Sequence, residues 1–270
     1  KAADYISQRF SDLNFIEKGN NEFLQSFSFK PKSNPHEEIK FNDSIIDSGI
    51  IGNNVLAFMD NNASSTVVIG AHYDHLGYGG EGSLYRDPEI KIHNGADDNA
   101  SGVAAILRMA EELKDDSYSN HNYMFIAFSG EEKGLLGSAY YVNDPIISLD
   151  QTIVDINVDM VGRVDEKYEN NPEYIYVIGA DKLSQDLHDI NEAVNSNFNN
   201  LTLDYTYNDE NDPNRYYYRS DHYNFAKNNI PVVFFFNGTH EDYHMTTDTV
   251  EKINFEKMEK IDDMDLIMKK

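Results

Sequence analysis

Apolar residues recur along this chain with two alternating periods. Near the start, Ala3, Ile6, Phe10 and Leu13 fall on one face of 2–13, the spacing of an amphipathic helix. Segments 55–59 and 66–71 are short apolar runs bounded by Asn, Asp and Gly, and predict strands. Helical spacing returns with Val103, Ile106, Leu107, Ala110 and Leu113 inside 99–113. A buried strand is predicted over 123–128, a helix over 132–141, and strands over 153–158 and 174–178. A helix follows over 182–198, then a short one over 221–227 with Ser220 as its N-cap. The most apolar run, 231–236, predicts a central strand. Phe255, Met258 and Ile261 predict a last helix over 255–268 that ends without a cap, as if the chain were trimmed there. Strands alternating with helices, several strands apolar on both faces, predict an α/β fold: a three-layer α/β/α domain with a mixed, mostly parallel central sheet flanked by helices. No internal repeat or low-complexity block interrupts it, so one domain over 1–270 is expected.

Composition narrows the partners. Of 270 residues, 22 are Lys or Arg and 47 are Asp or Glu, a net charge of −25. Nucleic acid and anionic membrane surfaces would be repelled. No stretch approaches the ~20 apolar residues that span a bilayer. With 0 Cys there is no disulfide, thiolate nucleophile or Cys-ligated metal. Any metal must be held by His, Asp and Glu. The acidic segment 209–214 lacks the Gly of an EF-hand loop and reads as a solvated, mobile loop. Gly77-Tyr78-Gly79-Gly80 lacks the Lys and helix of a phosphate cradle and reads as a mobile rim loop.

In open α/β sheets a ligand site lies beyond the carboxyl ends of the strands. Here those ends carry carboxylate and imidazole. His72 and Asp74 follow the strand 66–71, and Asp97 and Asp98 precede a helix. Glu131 and Glu132 follow 123–128, Asp159 follows 153–158, and Thr239-His240-Glu241-Asp242-Tyr243-His244 follows 231–236. Clustered carboxylates repel unless some take up protons or cations intervene. Two divalent cations match the charge of three ligand carboxylates and a bound hydroxide, the balance of a two-metal hydrolase.

Six blocks carry a family resemblance: His72-Tyr73-Asp74-His75-Leu76-Gly77, Asn94-Gly95-Ala96-Asp97-Asp98-Asn99-Ala100-Ser101-Gly102, Phe128-Ser129-Gly130-Glu131-Glu132-Lys133-Gly134-Leu135-Leu136-Gly137-Ser138, Asn157-Val158-Asp159-Met160-Val161-Gly162-Arg163, Arg219-Ser220-Asp221-His222 and Asp242-Tyr243-His244. In this order the sequence resembles the co-catalytic di-zinc aminopeptidases, mostly secreted bacterial and fungal exopeptidases. The resemblance implies a catalytic domain binding two Zn ions per chain, and peptide substrates with a free N-terminus. It also implies a secreted or periplasmic protein; Lys1-Ala2-Ala3-Asp4 has no apolar signal core, so a signal peptide either was never present or lies upstream of it. Carried over, His72 and Asp159 would hold one zinc, Glu132 and His244 the other, and Asp97 would bridge them. Glu131 would be the general base toward a metal-bridged water, and Asp74 would fix the tautomer of His72. Tyr243 would donate to the oxyanion, Glu131 and Asp159 would bind the substrate amine, and Arg219 would position the far end of the substrate. A cis peptide between Asp97 and Asp98 is implied as well.

Bland alternatives compete at some positions. Tyr243 is one of 18 Tyr, and Arg219 could serve a structural ion pair. The remaining histidines, His36, His75, His93, His121, His188, His222 and His240, read as structural or exposed. Ser220-Asp221-His222 is not a nucleophilic triad, since Ser220 lacks a Gly-x-Ser-x-Gly elbow. Tyr205, Tyr207 and Tyr216–Tyr218 are candidate walls of an apolar substrate pocket. Carboxypeptidase-like and aminoacyl-hydrolase readings need cations for a substrate carboxylate, and Arg is scarce. A glutaminyl-cyclase-like reading needs one zinc, against the five ligands counted. A non-catalytic receptor-like module would be expected to have lost ligands, and none is missing.

Overall fold

In the computed structural model, which describes residues 1–30, 40–42, 49–114 and 120–262, nine strands form one mixed sheet. They are β1 (Ile16–Glu17), β2 (Leu24–Phe29), β3 (Ile50–Met59), β4 (Thr66–His72), β5 (Asn122–Phe128), β6 (Thr152–Val158), β7 (Tyr174–Ile178), β8 (Thr202–Asp204) and β9 (Val232–Phe236). Their order is β1-β3-β5-β4-β6-β9-β7-β8, and β2 pairs with β3. The central four, β5-β4-β6-β9, run parallel; β3 and β7 flank them antiparallel. Four carboxyl ends therefore open on one edge, where such sheets bind ligands.

Helices cover both faces, α1 (Ala2–Asp12), α2 (Gly102–Lys114), α4 (Gln185–Val194) and α6 (Phe255–Asp262) on one, α3 (Leu136–Asn143) and α5 (His222–Ala226) on the other. The strands alternate to match. On β4, Val67, Ile69 and Ala71 join Ile6, Phe10, Ile106 and Leu187, whereas Val68 points oppositely, to Tyr141 and Phe225. On β5, Phe125 and Ala127 face one way and Met124, Ile126 and Phe128 the other. The three-layer α/β/α prediction holds. No helix among the described residues is long and apolar enough to cross a membrane.

Several predicted elements change at their ends. The helix expected over 132–141 is split. Glu131–Lys133 makes a single tight turn, then Gly134 (φ 108) and Leu135 (φ 58) reverse the chain before α3. The helix expected over 99–113 starts only at Gly102, because Asp98 and Asn99 leave helical φ/ψ inside the turn Ala96–Ser101. Ser184, whose hydroxyl accepts from the Leu187 amide, starts α4 three residues later than expected. β9 is interior but off-centre, and its Phe234 and Phe236 join a separate aromatic cluster with Tyr174, Tyr176 and Tyr216. β1, β2 and β8 are edge or near-edge strands whose patterns were too short or too polar to predict. His36 and the predicted helical residues 263–268 lie outside the described residues.

Candidate metal centre

His72 ends β4, where its pairing with Phe128 of β5 fixes the strand's last residue. Its Nδ1 donates to the main-chain carbonyl of Asp74 at 3.0 Å, which leaves Nε2 with its lone pair free to ligate. That Nε2 lies 3.3 Å from Asp98 Oδ1 and 3.3 Å from Asp159 Oδ1. His244 repeats the device on the far side. Its Nδ1 donates to the Gly82 carbonyl at 2.8 Å, and its Nε2 lies 3.2 Å from Asp98 Oδ2 and 3.5 Å from Glu132 Oε2. The two oxygens of Asp98 thus face two separate donor groups.

The aspartate that stands between the two donor groups is Asp98, not Asp97. Asp97 is fully buried and turned inward: its Oδ1 accepts from the Gly162 amide at 2.6 Å and from Ser101 Oγ at 3.1 Å. Its Oδ2 accepts from Asn237 Nδ2 at 3.2 Å and lies 3.1 Å from His240 Nε2. Adjacent carboxylates leave a kinked backbone in opposite directions, and only one can reach the rim. The cis peptide is likewise one residue on, at Asp98-Asn99. Asn99 anchors that kink, donating to the Val158 carbonyl at 2.9 Å and accepting from the amides of Gly102 and Met160.

Asp74 differs from expectation in the group that acts. Its carbonyl, rather than its carboxylate, fixes the His72 tautomer. Its carboxylate accepts from the amides of Gly130 at 2.7 Å and Glu131 at 3.1 Å, so it holds the turn that presents both glutamates. Burial pushes that carboxyl above its ordinary range. Ser220 does not cap α5. Its hydroxyl donates to Asp159 Oδ2 at 2.7 Å and accepts from Asn157 Nδ2 at 2.8 Å, which fixes the other oxygen of Asp159.

Glu131 reaches the centre without joining either donor group closely. Its Oε2 is 4.0 Å from His72 Nε2. Burial, together with the nearby Asp159, Asp221 and Glu132 carboxylates, pushes its carboxyl well up, against the pull of His72. His72 is held well above its ordinary value: burial opposes its charge, but Asp159 and Glu131 outweigh burial. So dense a cluster of acid calls for positive charge.

Around these groups lies a cavity walled by Met160, Tyr216, Phe234, Phe236 and Thr239, with Arg219, Ser220 and Tyr243 at its edge. Arg219 Nη2 donates to the Tyr243 hydroxyl at 3.3 Å, and the guanidinium lies 4.9 Å from the Tyr216 ring centroid. The Tyr243 ring stacks on His244 at 3.9 Å, so the same segment supplies both. Burial keeps the Tyr243 hydroxyl protonated far above neutrality. Of the tyrosines proposed as pocket walls, only Tyr216 lines the cavity. Tyr207 packs behind it at 4.7 Å, Tyr205 lies against His188, and Tyr217 and Tyr218 pack edge-on against Tyr223.

Zinc bonds of about 2.0–2.1 Å to N and O imply ligand atoms about 3.3–3.4 Å apart around a tetrahedral ion. The four neighbour distances of His72 and His244, 3.2–3.5 Å, fit that edge. Both imidazoles have the tautomer a ligand needs, and every donor is N or O. The residues fit divalent cations.

Residues outside the predicted set complete the centre. Asp248 is fully buried, and its carboxylate accepts from the amides of Asp97 at 3.0 Å and Asp98 at 3.2 Å. Nothing local in its sequence marks it, since it lies about 150 residues away in the chain. His75, read as structural, lies beside Glu132 and Asp98. A histidine three residues after His72 is a signal the sequence did offer. Of the other histidines read as structural or exposed, His93 and His121 hydrogen-bond Ser83 and Ser65, and His222 stacks on Phe234. The 209–214 segment is tied by its own aspartates, with Asp212 accepting from the amides of Asn214 and Tyr216.

The model of Peptidase family M28 matches residues 54–267. Aminopeptidase YwaD of Bacillus subtilis (strain 168) is 29% identical over 205 residues, covering 73% of this chain and 39% of its own length. The solved zinc aminopeptidase BSAP from Bacillus subtilis superposes with a TM-score of 0.60 at 26% identity, over 86% of this chain and 51% of that one. A Zn-dependent exopeptidase from Parabacteroides distasonis shares the fold, with a TM-score of 0.70 at 16% identity over 98% of this chain and 87% of its own. Against the first two, the chain spans about half or less of the relative's length.

Proposed function

The chain belongs to peptidase family M28, and from that premise we propose that it is a zinc-dependent aminopeptidase, removing one residue at a time from the free N-terminus of peptides. Residues 1–270 would form one catalytic domain, secreted or periplasmic. The observation that carries the reading is Asp98, whose Oδ1 faces His72 and Asp159 while its Oδ2 faces His244 and Glu132. Two zinc ions would be held there, one by His72, Asp98 and Asp159, the other by Asp98, Glu132 and His244. When bound, such ions lower the pKa of water toward neutrality and polarise the scissile carbonyl.

The chain's own groups do the rest. Glu131 reaches within 4.0 Å of His72 Nε2 yet belongs to neither donor group. Its carboxylate is therefore free to take a proton from the attacking water and return it to the leaving amide nitrogen. Asp74 keeps that carboxylate in place through the Glu131 amide. Tyr243, protonated and braced by Arg219, donates its hydroxyl hydrogen to the oxyanion. Glu131 and Asp159 would accept hydrogen bonds from the substrate's α-ammonium. The first side chain would then enter the wall of Met160, Tyr216, Phe234 and Phe236, which favours apolar residues.

Chelation should abolish cleavage of leucine p-nitroanilide and zinc should restore it, while N-acetylation of the substrate should block cleavage. Activity that survives chelation would remove the metal reading. One observation supports a second reading, in which a substrate carboxylate is gripped instead: Arg219 is the cation at the cavity. That reading predicts cleavage of N-acetylated peptides at their C-terminus.

A further inference from the structure

Resting on the two-ion reading, the structure assigns His75 as a further ligand, on the Glu132 side of Asp98. Its Nδ1 is 2.8 Å from Glu132 Oε1 and 3.7 Å from Asp98 Oδ2, and one donor atom from each of the three lies within 4.8 Å of the others. The side chain is only 8% exposed. Even so, neither ring nitrogen has a hydrogen-bond partner, and neither does Glu132 Oε1. The 2.8 Å contact is thus close without being aligned as a hydrogen bond, the relation of two donors aimed at a shared third atom. A buried imidazole and carboxylate oxygen left unpaired are costly, and a cation between them satisfies both.

The ring is also held in place. Gly95 (φ 61) passes so near that a Cβ there would come within 2.6 Å of His75 Cγ, while His244 packs edge-on at 5.8 Å and His93 lies at 6.4 Å. His93, packed beside it, does find a polar partner, in Ser83.

The consequence is asymmetry. Asp98, Glu132, His244 and His75 supply four protein donors, the full complement of a closed zinc site. His72, Asp98 and Asp159 supply three, which leaves a position open to substrate. The ion beside His75 should therefore be the tighter of the two.

The test uses the full chain, stripped of metal and titrated with Co²⁺ and with Zn²⁺ against a competing chelator. Bound metal is measured by mass spectrometry and Co²⁺ coordination by visible absorption. Wild type should bind two ions in separated steps. His75→Ala and the more conservative His75→Asn, with folding checked by circular dichroism, should weaken the tighter step on the order of 100-fold and reduce its absorption band. Variants that keep both affinities and the wild-type band would overturn the assignment of His75 and leave the aminopeptidase reading intact. Wild type that takes up fewer than two ions would overturn both.

Discussion

Asp97 and Asp98 are chain neighbours whose carboxylates serve opposite ends of one kink. Asp98 lies 3.3 Å from His72 Nε2 and 3.2 Å from His244 Nε2, whereas Asp97 accepts from the Gly162 amide at 2.6 Å inside the fold. With these positions exchanged, as the family resemblance implies, no carboxylate of the pair would stand between His72 and His244. Asp98→Asn should bind at most one ion tightly and lose at least ~10³-fold in kcat, since it loses a charged ligand shared by both sites. Asp97→Asn should retain both ions and instead unfold more readily, by about 1–3 kcal/mol, because its amide sets a donor against donors. Metal analysis and urea unfolding of the pair decide this, and the reverse pattern would restore Asp97 as the bridge.

Asp248 gives the kink its shape, accepting from the Asp97 and Asp98 amides. Its Oδ2 accepts from both amides and its Oδ1 from that of Asp97 as well, so in Asn one of these oxygens becomes an NH₂ facing amide donors. Asp248→Asn should weaken metal affinity about 10–100-fold, as loss of a group that orients a ligand typically does. Chelator competition checks this, and excess zinc should recover most of kcat. Failure of zinc to rescue would place Asp248 in folding alone.

Glu131 and Glu132 are adjacent but divide their work. Glu131→Gln should keep both ions and the wild-type KM within a few-fold, while kcat falls by a factor on the order of 10³ or more. Glu132→Gln should lose metal. Near-normal turnover in Glu131→Gln would dismiss it as the base.

Tyr243 is braced by Arg219 and stacked on His244. Tyr243→Phe keeps the stacking and removes only the hydroxyl. It should cost about 10²–10³ in kcat, roughly 2.7–4 kcal/mol, with little change in KM. A loss in KM alone would make Tyr243 a binding group.

Asp155 sits on β6 beside Val68 and Val232, and neither of its carboxyl oxygens has a hydrogen-bond partner. Burial, and then the Asp221 charge, pushes its pKa well above the ordinary 3.8. The folded state therefore holds this proton at pH values where the unfolded chain has released it. Its contribution falls as pH rises above about 3.8. Asp155→Asn removes that dependence. Relative to wild type, the variant should gain about 1–3 kcal/mol between pH 5 and pH 8 in urea unfolding. A difference that does not widen with pH would mean the carboxyl is charged and satisfied.

The alternation of strands with helices, and acid or imidazole after each parallel strand, were legible in the chain, because period and composition report burial and strand ends directly. His72, Glu131, Glu132, Asp159 and the segment 239–244 could be placed at the rim for that reason, while singling out His244 within it rested on the family resemblance. What periodicity could not resolve was direction at kinks. Asp97 and Asp98 share one local sequence, and the reversal at Gly134 and Leu135 breaks a plausible helix. Which aspartate reaches the rim depends on backbone angles fixed by Asn99 and Asp248, partners 59 and about 150 residues away from what they hold. Ser220, His75 and the wall of Met160, Phe234 and Phe236 likewise acquired their places only when separate strand ends met. The sequence determined which groups stand at the strand ends; tertiary packing decided where each one points, because a side chain's direction is set by distant residues that no local pattern encodes.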